Sequence, residues 1–329
     1  GQLDKYLNCK NDEEWFFALR NVAKSYAEHG QTIGVHFPPR EIKWIIQPDG
    51  YIKFDYSLFD RVWKMYEEVG LGKYQIVGNI NSPRVQLWNG KRVKLNYASL
   101  NVKDAKKRFL PDFASHLEKM GWKDKAVAYV IDEPKNYDIV VKYCTPWNKV
   151  GIKTMAALNR LIPKELKKVE GKLNIWIPQY QFYGRPGVLE YFTELLKKGE
   201  EVWWYECSCG NPDMKINAFL TDIRYMVWAT FKYGLKGFTP YGGGNRWGGR
   251  FSIPPNLKIG DNWIYDPYTF TSEGLNFNVY PDYKRKSVVD TIRTENLRDS
   301  FQDYMYLWVL KEEIKKAKKK GINLSLIHI

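Results

Sequence analysis

Strand-like and helix-like segments alternate along most of this 329-residue sequence, and this order constrains the fold more than any other feature. Each strand-like segment is a short run of apolar and β-branched residues, and each is followed by a segment with apolar residues at helical spacing. Such an order indicates parallel strands joined by helical crossovers. The predicted strands are residues 32–36, 74–78, 126–132, 153–158, 173–178, 201–207 and 236–242.

The strand order predicts an α/β fold of the (β/α)8 TIM-barrel type. Eight strands close such a barrel, whereas this chain begins with a predicted helix over residues 12–29 and then offers seven strands. We therefore expect the first strand to be encoded upstream of Gly1. The barrel domain is predicted to span residues 1–321, with residues 322–329 as a tail that fits no element of the pattern.

Helical spacing predicts seven helices, and three excursions lie between helices and neighbouring strands. The predicted helices are residues 12–29, 57–70, 102–120, 136–150, 187–198, 216–233 and 285–320, and residues 161–170 are predicted to form a short helix or a turn. Residues 41–56 contain a Pro-Asp-Gly turn signal and are predicted to form a loop or small hairpin. Residues 79–98 form an irregular excursion with an Asn-Gly hairpin turn, and residues 247–282 form a long loop rich in Gly, Pro, Asn and aromatic residues.

Charge and aromatic content narrow the classes of partner. The net charge of +14 would suit a polyanion. However, the basic residues concentrate in helix-like stretches at 103–108, 164–168 and 311–320, which is typical of solvated helix faces, so we do not predict a nucleic-acid partner. The 13 Trp and 23 Tyr residues offer flat apolar faces suited to stacking on sugar rings. No apolar stretch approaches 18 residues, so no transmembrane segment is predicted.

Four cysteines and four histidines do not form a recognisable metal site. Cys207 and Cys209 lack a second pair at zinc spacing, and the histidines are scattered along the chain. The cysteines are also too few for a disulfide framework. The sequence therefore predicts neither a metal nor another cofactor.

The segment AVAYVIDEP, residues 126–134, connects a predicted strand to candidate catalytic groups. Its apolar run ends in Asp132 and Glu133, and the following Pro134 cannot continue a strand ladder. In a barrel, the carboxyl ends of the strands surround the substrate opening. The same three residues could instead begin a helix, with Asp132 as the cap and Pro134 at the first helical position. For this segment alone, the capping interpretation is the more frequent one.

Three further stretches decide between these interpretations. They are EVWWYECSCGNP at 201–212, IRYMVWATFKYGLKGFTPYGGGNRW at 223–247 with NWIYDPY at 262–268, and TIRTENLRDSFQDYMYLWVL at 291–310. Together with VIDEP, and in the same order and spacing, they resemble the catalytic domain of glycoside hydrolase family 123. The known members of that family are retaining β-N-acetylgalactosaminidases. The resemblance extends from about residue 12 to residue 320.

The resemblance implies that Glu133 is the general acid and that Asp132 orients and stabilises the 2-acetamido group of the substrate. Two adjacent residues at one strand end cannot flank a sugar ring as the acid and nucleophile of ordinary retaining glycosidases do. A mechanism in which the acetamido oxygen attacks the anomeric carbon needs no protein nucleophile. We therefore expect a retaining exo-β-N-acetylhexosaminidase, with a β-N-acetylgalactosaminidase favoured, acting on a glycan or glycoconjugate.

Other side chains at or just beyond predicted strand ends are candidates for substrate binding. They are Trp176, Tyr180, Trp204, Tyr205, Glu206, Tyr241, Asn245 and Trp247. Tyr205 is the first choice, and Tyr180 the second, for a hydroxyl aimed at the acetamido oxygen. For each aromatic residue singly, packing in the core is an equally good interpretation.

Two other functional classes stay open on the residues alone. A carbohydrate-binding barrel without activity would use the same aromatic residues, but it would not require two adjacent acids, so Asp132 and Glu133 favour the enzyme. A binder of single-stranded nucleic acid would also be basic and aromatic. The recognition motifs of such proteins are missing from the sequence.

Overall fold

A computed structural model describes residues 2–78, 84–93, 99–207, 212–215, 218–240, 258–259, 262–263 and 278–322. The helices of the described residues are α1 (Gln2–Tyr6), α2 (Asp12–Glu28), α3 (Pro38–Glu41), α4 (Ser57–Val69), α5 (Leu100–Lys119), α6 (Tyr137–Lys149), α7 (Pro163–Leu166), α8 (Tyr180–Tyr183), α9 (Val188–Lys197), α10 (Leu220–Lys232) and α11 (Ile292–Lys319). Single 3₁₀ turns occupy Lys123–Lys125 and Lys167–Val169.

The strands of the described residues include those of the main sheet and several short additional ones. They are β1 (Ile33–Val35), β2 (Lys43–Ile46), β3 (Ile52–Asp55), β4 (Tyr74–Val77), β5 (Arg84–Leu87), β6 (Ala126–Asp132), β7 (Lys153–Leu158), β8 (Ile175–Pro178), β9 (Glu201–Glu206), β10 (Gly237–Pro240), β11 (Lys258–Ile259), β12 (Asn262–Trp263), β13 (Val279–Asp282) and β14 (Ser287–Asp290).

Seven strands form one sheet in the order β1-β4-β6-β7-β8-β9-β10. The recorded pairings from β1 to β9 are all parallel, as the alternation of strands and helices predicts. The fold is therefore α/β with a curled half-barrel sheet. The seven strands are those that the sequence predicts, and among the described residues no eighth strand joins this sheet, so a complete eight-stranded barrel is not confirmed.

The curl of the sheet is visible in contacts between strands that are far apart in its order. The Tyr74 hydroxyl on β4 donates to Glu201 Oε2 on β9 at 2.9 Å, and the Tyr74 ring lies 6.0 Å from the Trp203 ring. Three strands separate β4 from β9, so a flat sheet would hold them about 19 Å apart at the usual spacing of roughly 4.8 Å. These side chains therefore meet across the concave face.

Helices cover the opposite, convex face of the sheet. Side chains alternate along a strand, so Val77 on β4 points away from the concave face that Tyr74 occupies. Val77 packs in one buried cluster with Ala126 and Ala128 of β6 and with aromatic residues from α4 and α5. Even-numbered residues at the start of β6 thus face the helices, and Val127 and Tyr129 face the concave side.

A buried polar group connects β1 and β4 to this helical layer. His36 Nδ1 lies 2.5 Å from Glu41 Oε2, and its Nε2 lies 2.6 Å from Gln75 Oε1. The second carboxylate oxygen of Glu41 accepts the backbone N–H of Phe37 at 2.7 Å. Gln75 donates to the carbonyl oxygen of Trp63 at 3.1 Å, which fixes its amide orientation. The hydrogen bonds of this group offset the cost of burying its polar atoms.

This group gives a stability prediction. Glu41→Met would remove the two oxygens that contact the His36 ring and the Phe37 N–H, and would leave both of these groups without that partner. We expect the free energy of unfolding to fall by about 2–3 kcal/mol, the usual cost of an unsatisfied buried group. Glu68→Gln, at an exposed ion pair with Arg20, is the control and should cost less than about 0.5 kcal/mol. Equal losses in urea titrations of the two variants would contradict the prediction.

The chain divides into two compact units, residues 9–27 with 31–204, and residues 1–8 with 28–30 and 205–329. In the second unit α10 packs beside α11, with Met226 and Leu297 in their shared buried cluster. Arg224 Nε donates to Asp303 at 2.9 Å across the same helix pair.

Most predicted elements are confirmed with small shifts of their ends, and β7 has the predicted bounds. The excursion at 41–56 contains the antiparallel hairpin of β2 and β3, to which β5 adds a third strand that the sequence did not predict. The predicted helix over 285–320 is wrong in its first part. Residues 287–290 form β14, and α11 begins at Ile292 after a capping box at Thr291. None of the described helices is long and apolar enough to span a membrane.

Candidate active site

Strand β6 contains a β-bulge just before the two candidate acids. In its pairing with β7, Tyr129 lies opposite Met155 and Ile131 lies opposite Ala156. Two steps along β6 therefore match one step along β7, and Val130 is the extra residue. Bulges of this kind redirect the side chains that follow them.

The bulge determines the direction of the Asp132 side chain. In a regular strand Asp132 would share the convex face with Ala126 and Ala128, because residues an even number of positions apart point to the same side. One extra residue reverses this alternation. The Tyr129 hydroxyl donates to Asp132 Oδ1 at 2.7 Å, which shows that both side chains lie on the same side of the strand. Asp132 is thus presented on the concave face.

Glu133 follows in an unusual backbone conformation. Its φ is +43°, in the left-handed region that residues with a side chain seldom adopt. Its N–H still donates to the carbonyl oxygen of Ala157 at 3.1 Å, so the β6–β7 ladder continues as far as this residue. A left-handed residue costs roughly 1 kcal/mol or more, and such strain is common at functional sites. Glu133 is half-buried, whereas Asp132 is exposed.

The alternative in which this segment begins a helix is wrong. Helix α6 begins at Tyr137, and its cap is Asn136, whose side chain accepts the N–H of Ile139 at 3.1 Å. Asp132 and Glu133 are therefore not the N-terminus of α6. Their side chains do not serve to cap a helix.

Tyr129 is a site residue that sequence reasoning missed. Burial is the main cause that raises the pKa of its hydroxyl well above the usual value, and the charge of Asp132 adds to it. A smaller contribution from the Ala157 backbone lowers the pKa and so acts in the opposite direction. The hydroxyl therefore keeps its proton and serves as a donor. A tyrosine three positions before an acid carries no signal in a regular strand, because the two side chains would then point apart.

Trp204 and Tyr180 are brought together by the structure. Their ring centroids lie 6.3 Å apart in an edge-to-face arrangement, and Tyr183 contacts Trp204 in the same way at 5.7 Å. Tyr180 and Tyr183 are the first and last residues of the short helix α8, which directly follows β8. All three side chains are buried. This aromatic cluster packs α8, which follows β8, against Trp204 of β9.

Trp176 lies elsewhere, in the core between the sheet and α9. It is fully buried, its indole N–H donates to Glu200 at 3.4 Å, and its ring contacts Tyr191 and Phe192. Because β8 contributes this side chain to the helical layer, the structure does not bring Trp176 to the acids. Its position is that of a packing residue.

Two of the remaining candidates lie at the end of β9, and the others come after β10 in the sequence. Tyr205 shares one side of β9 with Trp203, which lies on the concave face, whereas Glu206 shares the other side with Trp204. Tyr205 and Glu206 are both buried. The three other candidates, Tyr241, Asn245 and Trp247, lie outside the described residues.

Two surface cavities of about 530 and 560 Å³ lie away from the acids. The first is lined by α5 residues such as Glu118 and by Lys123, and the second by α9 residues such as Tyr191. Both are on the helical layer, so we locate the site by the concave face and the strand ends, not by cavity size. In the described ranges no group of three or more His, Cys, Asp or Glu side chains is placed to hold a metal ion.

Comparison with known proteins matches the chain to a protein family and to solved structures. The family model described as glycoside hydrolase 123, catalytic domain, matches residues 11–310. A solved structure of a family 123 glycoside hydrolase from Clostridium perfringens, described in connection with glycolipid glycan hydrolysis, superimposes with a TM-score of 0.68 at 18% sequence identity. The match covers 97% of this chain and 59% of that one. No curated protein matches the chain significantly in sequence.

Proposed function

Because the chain belongs to glycoside hydrolase family 123, we propose that it is a retaining exo-β-N-acetylhexosaminidase that uses the 2-acetamido group of its substrate as the nucleophile. Membership of the family makes the chain a glycoside hydrolase. The observation that supports the proposed mechanism is the placement of Asp132 and Glu133. They are adjacent at the end of β6, after a bulge that turns Asp132 to the concave face.

Adjacency of the two acids is difficult to reconcile with an ordinary double displacement. In such enzymes the acid and the nucleophile approach the sugar from opposite sides, with their carboxyl groups about 5–5.5 Å apart. Two consecutive residues at one strand end reach the sugar from the same side. A substrate that supplies its own nucleophile from the 2-position removes the need for a second carboxylate across the ring.

We assign separate roles to the two acids. Asp132 accepts the acetamido N–H and offsets the positive charge that develops as the acetamido oxygen attacks the anomeric carbon. Glu133 donates a proton to the leaving oxygen, and then removes a proton from the water that opens the oxazolinium intermediate. Two inversions at the anomeric carbon give net retention. Each bond that breaks is matched by one that forms, and no cofactor is required.

We propose that aromatic residues at other strand ends bind the sugar. Tyr205 is our first candidate for a hydroxyl that stabilises the acetamido oxygen, and Tyr180 is the second. Of the other candidates, Trp204 supports Tyr180 by direct ring contact. Tyr241, Asn245 and Trp247 remain proposed sugar ligands, whereas Trp176 and Glu206 are buried on the side of their strands that faces away from the concave face, which favours a role inside the fold.

For the substrate, we propose a terminal β-linked N-acetylgalactosamine on a glycan or glycoconjugate. The known members of the family that the sequence resembles act on this sugar, and the structural relative is described in connection with glycolipid glycans. We further propose that residues 1–321 form one catalytic domain, since the family match crosses both compact units. An eighth strand would complete the (β/α)8 barrel.

A comparison of chromogenic substrates tests the proposed function. We expect 4-nitrophenyl β-N-acetylgalactosaminide to be hydrolysed, with the β-anomer of the free sugar as the first product by NMR. The β-N-acetylglucosaminide reports on selectivity at C4. The matching β-galactoside has a plain 2-hydroxyl and should give no turnover above background. Equal rates on the galactoside, or an α-anomeric first product, would refute the proposal.

A further inference from the structure

The hydroxyl of Tyr129 lies against one oxygen of the acid that we propose to handle the acetamido group. The bond to Asp132 Oδ1 is 2.7 Å long and joins residues three positions apart on the same strand. This contact depends on the bulge at Val130, because without the extra residue the two side chains would face opposite sides of the sheet. The sequence therefore folds locally so that a tyrosine reaches Asp132.

The geometry also fixes which oxygen of Asp132 is left for a ligand. Tyr129 donates to Oδ1, and its ring is half-buried on β6. Burial keeps the pKa of the Tyr129 hydroxyl above its usual range, so it remains a neutral donor over the whole range in which glycosidases work. The exposed carboxylate of Asp132 thus has one oxygen held and Oδ2 directed elsewhere.

We infer that Tyr129 is a positioning residue that sets the plane of the Asp132 carboxylate, so that Oδ2 accepts the acetamido N–H of the substrate. This inference rests on the proposed function. A free aspartate rotates about two side-chain bonds, and only part of its rotamers would direct Oδ2 at the amide. A hydrogen bond from a ring anchored in the strand removes that freedom before the substrate arrives. Tyr129 itself does not touch the reacting atoms.

Tyr129→Phe tests this role, with Tyr56→Phe as a matched control. The Tyr56 hydroxyl donates to Asp112 Oδ1, also at 2.7 Å, and burial likewise raises the pKa of that tyrosine. Tyr56 belongs to the helical layer, where its ring stacks on His116. Both variants lose one hydroxyl–carboxylate bond, so their melting temperatures should fall by similar amounts. Only Tyr129→Phe should lose activity.

For Tyr129→Phe we expect kcat on 4-nitrophenyl β-N-acetylgalactosaminide to fall about 10- to 100-fold, the scale typical of groups that orient a functional side chain. KM should change less than about threefold, because the lost interaction matters most as charge develops on the acetamido group. Tyr56→Phe should retain the wild-type kcat. A kcat for Tyr129→Phe within about twofold of the wild type would overturn the inference and leave the proposed function intact.

A double-mutant cycle separates positioning from a general structural role. If Tyr129 acts through Asp132, then Tyr129→Phe should have no further effect in an Asp132→Asn background. The residual activity can be followed with a 2,4-dinitrophenyl substrate, whose leaving group is more reactive. The same fold-loss in both backgrounds would overturn the inference. Absence of turnover by the wild type on every N-acetylated substrate would overturn the proposed function itself, and the inference with it.

Discussion

Replacing Glu133 by Gln should lower kcat/KM on a substrate with a poor leaving group, such as methyl β-N-acetylgalactosaminide, by about 10³-fold or more. General acid catalysis contributes roughly 10²–10⁴-fold, and the amide cannot donate a proton to the leaving oxygen with comparable acidity. With a 2,4-dinitrophenyl leaving group the first step needs little protonation, so the loss in kcat/KM should be much smaller. This dependence on the leaving group distinguishes a missing acid from a damaged fold.

The control for this variant is Glu165→Gln. Glu165 is a carboxylate on α7 that binds Lys168 at 2.8 Å on the surface of the helical layer, and its replacement should leave kcat/KM unchanged. Added azide should accelerate Glu133→Gln and give the β-glycosyl azide, because azide attacks the oxazolinium intermediate without a general base. An equal loss on both leaving groups would speak against Glu133 as the acid.

Replacing Asp132 by Asn should produce the second large effect, a fall in kcat of about 10²–10³-fold for N-acetylated substrates. Asp132 is proposed to accept the acetamido N–H and to balance the positive charge of the oxazolinium-like transition state, and removal of one such electrostatic partner typically costs this much. The loss should persist with the 2,4-dinitrophenyl substrate, unlike that of Glu133→Gln, because nucleophilic attack is affected and leaving-group departure is not. Steady-state kinetics on the two substrates measure both effects.

Asp138→Asn is the matched control for this variant. Asp138 lies six residues further along the chain, in the first turn of α6, where its exposed carboxylate is 3.7 Å from Lys168. We expect its kcat to equal that of the wild type. If Asp132→Asn recovered full rate with the activated substrate, Asp132 would be assisting departure of the leaving group, contrary to its assigned role.

The general architecture could be predicted from the sequence because it depends on local patterns. Buried side chains recur at a regular spacing in each type of element, and this spacing is visible in the sequence. The apolar run at 153–158 and the helical spacing at 57–69 are examples. The identity of the two candidate acids could also be predicted, because they follow an apolar strand and belong to a motif that resembles the family.

The orientation of the acids could not be predicted, because it depends on one extra residue in one strand. Whether Val130 bulges is decided by pairing with β7, and no residue type in AVAYVIDEP marks it. Glu133 also has a left-handed backbone conformation, which Gly or Asn adopts more readily. Because a glutamate gives no signal for this conformation, it could not be predicted from the sequence. Without the bulge, the contact between Tyr129 and Asp132 could not be predicted from the sequence.

Side-chain direction also decides which aromatic residues surround the site. Trp176 was predicted as a sugar ligand because it lies near a strand end, but β8 directs it to Phe192 in the helical layer. The hairpin of β13 and β14 replaces the start of the predicted last helix. Val288 and Val289 are β-branched and favour a strand, and the sequence prediction extended the helical pattern too far toward the N-terminus.

The central claim is that the substrate supplies the attacking oxygen while Asp132 and Glu133 act from one side of the sugar. The most direct test is the rate of the wild type on 4-nitrophenyl β-galactosaminides bearing N-acetyl, N-fluoroacetyl, N-difluoroacetyl and N-trifluoroacetyl groups. Each fluorine withdraws electrons from the acyl oxygen, so kcat/KM should fall steeply and steadily along the series. Rates that are independent of fluorination would show that the acetamido oxygen is not the nucleophile, and would contradict the account.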